Sequence, residues 1–118
     1  MCVIHVVDVL ISKGSIMPAA ALAQNVSQTT TGHGCDTVTT VQGALQTTVK
    51  IEGTLASVQG DVLAPHTILS GVVCVPHAAN VNAGSSTVRI GGIAAARVGD
   101  SADAGNITSG AGTVTIGG

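Results

Sequence analysis

The stretch Thr87-Val88-Arg89-Ile90-Gly91-Gly92-Ile93-Ala94-Ala95-Ala96-Arg97-Val98-Gly99-Asp100 decides how the chain is read. Thr, Val and Ile alternate with polar or small residues, a Gly pair follows, and a second short run ends on Gly-Asp. That is the pattern of two strands joined by a tight turn. The Ala run at 94–96 has helical propensity, but Gly91-Gly92 and Gly99-Asp100 bracket it too closely for a stable helix. It reads as strand.

The unit recurs. Thr48-Val49-Lys50-Ile51-Glu52-Gly53, continuing through Leu55-Ala56 to Gly60-Asp61, aligns with it at an offset of 39 residues without a gap. A third start, Thr113-Val114-Thr115-Ile116-Gly117-Gly118, stops halfway, and Ala19-Ala20-Ala21-Leu22-Ala23-Gln24-Asn25 resembles the missing second half, 94–100. The two half-units together complete a third copy and close the object on itself. No segment shows a sustained 3.6-residue period, so the expected class is all-β, a pseudo-threefold prism of β-hairpins.

Composition agrees with thin layers. Of 118 residues 45% are hydrophobic, yet none is Phe, Tyr or Trp, so Val, Ile, Leu and Ala must fill any interior. Four basic against six acidic residues exclude the cationic footprint of a nucleic-acid binder and a polybasic membrane patch. Charge at 8% in so apolar a chain is the reverse of the disordered signature. The longest apolar run, Val3 to Ile11, is interrupted by His5 and Asp8 and falls far short of the roughly 20 residues of a membrane helix. Lys13 follows that run instead of preceding it, which argues against a signal peptide.

Chemistry concentrates in the segments between units, which read as irregular connectors. Val26 to Thr47 contains His33 and Cys35, Val62 to Ser86 contains His66, Cys74 and His77, and Ser101 to Gly112 contains Asp103. Connectors of three equivalent units emerge at one end of a pseudo-threefold body, so these side chains can converge. A lone loop histidine is usually solvated, but three histidines and two cysteines clustered there point to joint metal ligation. Three cysteines are an odd number, which favours thiols over a disulfide framework, and three imidazoles with one thiolate make a closed tetrahedral zinc site. Iron ranks second, since imidazole also suits it. Cys2 and His5 lie outside the pattern and read as non-ligands.

The unit TVRIGGIAAARVGD at 87–100, MPAA at 17–20, GHGC at 32–35, PHT at 65–67 and the closing GAGTVTIGG resemble a PAAR-repeat protein. The resemblance runs from Met17 to Gly118, is strongest over 84–118, and leaves 1–16 as an N-terminal extension. It implies a conical β-structure with a metal near its apex, capping the trimeric β-helical spike of a contractile injection machine, one copy per trimer. The GHGC start and paired CVPH are most similar to phage tail baseplate versions, which implies a virion location at the spike tip. A type VI secretion spike is the alternative. The same resemblance implies transient contact with a target outer membrane and no nucleic acid, small-molecule substrate or catalysis.

Carried over residue by residue, His33, His66 and His77 match the family's histidine positions. The fourth ligand, usually a cysteine after the last Gly-Asp, falls on Asp103, which either ligates through oxygen or leaves the role to Cys35 or Cys74; a cysteine is favoured, as the softer zinc ligand. One ion tying three loops is expected to contribute about 10 kcal/mol or more, as in small zinc domains. Two other classes fit the sequence less well. A Thr-rich β-solenoid needs a short constant period, but unit starts are 39 and then 26 residues apart. A Cys–His hydrolase needs an oxyanion loop, and nothing resembles one.

Overall fold

The computed structural model describes residues 18–117; the N-terminal extension 1–16, with Cys2 and His5, and the terminal Met17 and Gly118 of the family resemblance lie outside them. The described chain is all-β, without a helix, and is built from five two-stranded antiparallel hairpins. These are β1 (Gln28–Thr30) with β2 (Val38–Thr40), β3 (Lys50–Ile51) with β4 (Thr54–Leu55), β5 (His66–Ser70) with β6 (Val73–His77), β7 (Arg89–Ile90) with β8 (Ile93–Ala94), and β9 (Ser101–Ala102) with β10 (Gly105–Asn106).

Two of the hairpins are the repeated units. Lys50 pairs with Leu55 and Arg89 with Ala94, and at the corresponding place Thr115 bridges Ala19. The two half-units therefore meet and complete a third hairpin, as their sequences required. The β3–β4 and β7–β8 turns put both central residues at positive φ, Glu52 and Gly53 at 55° and 80°, Gly91 and Gly92 at 62° and 83°. This is the turn whose twist matches the flanking strands, and it is why glycines stand there. Glu52 is the exception, and its carboxylate accepts hydrogen bonds from the amide and hydroxyl of Thr113 at 2.8 and 2.6 Å.

Beyond each hairpin the second strand runs into a shared ring. The amide of Ala21 donates to the Ala96 carbonyl, that of Ala96 to Ser57, and that of Ser57 back to Ala21, each at 3.0 Å. The next set repeats the cycle, with Ala23 to Leu55, Gln59 to Ala94 and Val98 to Ala19, each at 2.9 Å. Three backbones meeting this closely leave room only for small side chains. Ala20, Ala21, Ala56, Ser57, Ala95 and Ala96 are all fully buried there, which accounts for a core without aromatic rings. The Ala runs are thus not helical: Ala94 ends β8, and Ala19, Ala20 and Ala95 form isolated bridges with partners in other segments.

A third cycle, with Asn25 to Val41, Gly60 to Val81 and Gly99 to Ile107 at 2.8 Å each, leads into the segments between units. It pairs Asn25 with Gly99, one place away from the sequence alignment with Asp100. Ser27 takes the role of the repeated aspartate: its Oγ accepts the Leu22 amide at 2.8 Å, as the carboxylates of Asp61 and Asp100 accept those of Val58 and Arg97.

The segments between units are not irregular, contrary to expectation. They form the hairpins β1–β2, β5–β6 and β9–β10, joined edge to edge by the bridges Val41–Leu63, Val81–Ala102 and Ile107–Thr29. Alternating small and β-branched residues conceal these strands in the sequence, because each shows only one or two inward positions. One apolar cluster centres on Ile51, Ile90 and Ile116, the equivalent residues of the three units; a second centres on Val41, Leu63, Val81 and Ile107 beneath the three later hairpins. Every buried side-chain nitrogen and oxygen among the described residues has a hydrogen-bond partner.

Candidate metal centre

Each of the three later hairpins delivers polar side chains to one point. His66 and His77 are a directly opposed pair at the base of β5–β6, placed by antiparallel register. His33 lies in the loop joining β1 to β2, where its amide donates to Thr31 Oγ1 at 3.2 Å. Asp103 lies in the turn between β9 and β10 at φ 53°, its backbone tied to the Asn80 carbonyl and the Asn82 side chain.

The carboxylate of Asp103 is the hub. His33 Nε2 is 2.8 Å and His77 Nε2 3.1 Å from Oδ1, while His66 Nε2 is 2.8 Å from Oδ2. The imidazoles pack edge to face, His33 against His77 with centroids 4.9 Å apart and His66 against His77 at 5.1 Å. The Asp103 and His66 side chains are almost fully buried, while those of His33 and His77 are each 27% exposed. Burial disfavours the charge on Asp103, but contact with the three imidazoles outweighs it and lowers its carboxyl below the ordinary range.

The donor set fits a cation on an observation independent of spacing. His66 Nδ1 is 2.9 Å from the Ala64 carbonyl, which can only accept, so Nδ1 carries the hydrogen. In a neutral ring the other nitrogen then presents a bare lone pair to the Asp103 carboxylate 2.8 Å away. Lone pair facing lone pair is repulsive unless positive charge lies between, as a proton on the ring or as a metal ion. A backbone carbonyl fixing the tautomer of a ligating imidazole is the usual outer arrangement of metal-bound histidine. His33, His77 and Asp103 offer ligand atoms within 4.8 Å of one another and could hold a metal ion, with His66 Nε2 on the same carboxylate.

The expected thiolate is corrected. Cys35 and Cys74 are joined in a disulfide, so neither offers a thiolate ligand, and the acidic ligand atom beside His33 and His77 is an Asp103 oxygen. An odd cysteine count had favoured free thiols, but it cannot exclude a single pair between segments 39 residues apart. The preference for zinc over iron rested on sulfur and goes with it, since imidazole and carboxylate accept either metal. Two residues that spacing did not single out support the loop of His33. Asp36 Oδ2 accepts from the amide and hydroxyl of Thr67 at 2.7 and 2.8 Å, and these hydrogen bonds hold its carboxyl below the ordinary range. An acidic residue beside His33-Gly34-Cys35 carries no sequence signal for that clamp.

No protein-family profile and no curated protein matches the chain. The functional reading therefore rests on the geometry and on the sequence motifs.

Proposed function

We propose that the chain is a pseudo-threefold cone of the PAAR type, with the His33–His66–His77–Asp103 cluster at its apex, and that it caps a trimeric β-helical spike in a contractile tail. The observation that carries this reading is the closed cycle of equal hydrogen bonds through Ala21, Ser57 and Ala96. One chain that repeats its backbone pattern three times about an axis offers three similar surfaces to a partner with true threefold symmetry. That arrangement permits one copy per trimer, which a single asymmetric domain could not satisfy equally on three sides.

The metal-binding group supports the other end of the reading. Hairpin turns bury little apolar surface, so their order must come from polar cross-links. A divalent transition ion held by His33, His66, His77 and Asp103 would supply such a cross-link and no turnover. With it the three hairpins would form one rigid body under compressive load, suited to breaching a membrane mechanically. A phage baseplate is the setting favoured by the GHGC and CVPH motifs, with a type VI spike second.

The test is co-purification with the trimeric spike protein of a contractile tail. A complex of one chain per spike trimer in native mass spectrometry is expected. A chain that ignores such spikes, or binds three per trimer, would overturn the assignment.

A further inference from the structure

We propose that the Cys35–Cys74 disulfide is a redox-dependent fastener of the metal centre: while it is intact the centre holds its ion, and its reduction releases the His33 arm and weakens binding. The inference rests on the metal-centre reading above and adds its regulation.

The four donors are not held alike. His66 and His77 are set by five consecutive register pairs of β5–β6, and Asp103 by the Asn80 and Asn82 contacts of its turn. His33 instead sits in a loop, residues 31–37, without strand partners. Besides the packing of the His33 ring on His77 and of Gly34 against Leu69, that loop is bonded to the hairpin of the other two histidines at two places. Asp36 and Thr67 form one, with the Asp36 amide also donating to the Thr67 carbonyl at 3.2 Å, and the disulfide from Cys35 to Cys74 forms the other. The first is a solvent-exposed set of hydrogen bonds that can open and re-form, whereas the second is covalent. The covalent link lies two residues from His33 and three from His77, so it limits how far the two can separate.

The loop conformation also depends on restraint. Cys35 is held at φ 68°, a left-handed conformation unfavourable for a side chain that is not glycine and kept only where the surroundings demand it. Opening the link removes that demand. With a dithiol reductant, the S–S bond accepts two electrons and two protons, giving two cysteine thiols, while the reductant closes to its own disulfide. The His33 arm then loses preorganisation, and ordering it again is charged against metal affinity. A tip made in a reducing compartment would hold its ion weakly and tighten on it once outside.

The experiment uses the full chain carrying Cys2→Ser, so that only one cysteine pair remains. Zn2+ affinity is measured against a competing chromophoric chelator for the oxidised form, the dithiothreitol-reduced form kept anaerobic, and the Cys35→Ser/Cys74→Ser form. The oxidised form is expected to bind at least about tenfold more tightly than the serine form. Metal-free hydrogen exchange is expected to quicken at residues 31–37 on reduction while β5–β6 stays protected. That second readout decides the matter should the serine variant fail to fold. Equal affinities with unchanged exchange overturn the fastener alone and leave the metal centre standing. Tighter binding on reduction, with sulfur-to-metal charge transfer when Co2+ replaces Zn2+, overturns it in favour of thiolate ligation. No binding in any form overturns both this inference and the metal-centre reading.

Discussion

His66 Nε2 and Asp103 Oδ2 lie 2.8 Å apart across 37 residues of chain, and the other nitrogen of that ring is committed to the Ala64 carbonyl. A proton or a metal ion between its members would relieve their facing lone pairs, and the pair is nearly fully buried. A change at either residue therefore reports directly on what occupies the centre.

Zn2+ at a hundredfold excess over its dissociation constant is expected to stabilise the fold by about 2.7 kcal/mol, the mass-action value for a ligand that binds only the native state. Calorimetric melting with and without a chelator checks this. In His66→Ala the melting temperature should no longer respond to the ion; a shift as large as that of the parent would mean that the metal sits elsewhere.

Asp103→Asn preserves shape and removes the charge on which three imidazoles converge. Metal affinity is expected to fall at least about tenfold, since an amide is a far poorer ligand than a carboxylate. Isothermal titration calorimetry reads the change, and undiminished affinity would remove Asp103 from the ligand set.

Glu52 is exposed, yet its hydrogen bonds from Thr113 hold its carboxyl below the ordinary range. A carboxyl lowered in the folded state adds stability that is present above its unfolded value and lost as pH falls through its folded one. Glu52→Gln should thus melt below the parent at neutral pH, and the difference should shrink as the solution is acidified below the range of free carboxylates. A gap that stays constant with pH would show that packing, not charge, joins the half-unit to the β3–β4 turn.

Ile51 is fully buried in the cluster it shares with Ile90 and Ile116. Ile51→Ala is expected to cost about 2–5 kcal/mol in chemical denaturation. Val72 at the β5–β6 turn is 95% exposed, and Val72→Ala should change stability by less than about 0.5 kcal/mol. Similar losses at both positions would contradict the placement of the core.

The three units, the meeting of the two half-units and the all-β class were legible because they rest on local pattern. Glycines in the turns of 48–61 and 87–100, alternating Val and Ile in all three units, and Ala runs too short for helix at 19–21 and 94–96 each constrain backbone within a few residues. The histidines were legible as a cluster for the same reason. Their grouping on Asp103, the pairing of Cys35 with Cys74, the Asp36–Thr67 clamp and the strand character of the segments between units required the folded chain. These depend on which distant backbones lie side by side, and loop segments of mixed Ser, Thr, Asn and Gly encode no preference for one neighbour over another. In the folded chain the bridges Val41–Leu63, Val81–Ala102 and Ile107–Thr29 bring the hairpins β1–β2, β5–β6 and β9–β10 edge to edge, and that proximity determines which acid meets which imidazole and which sulfur finds a partner.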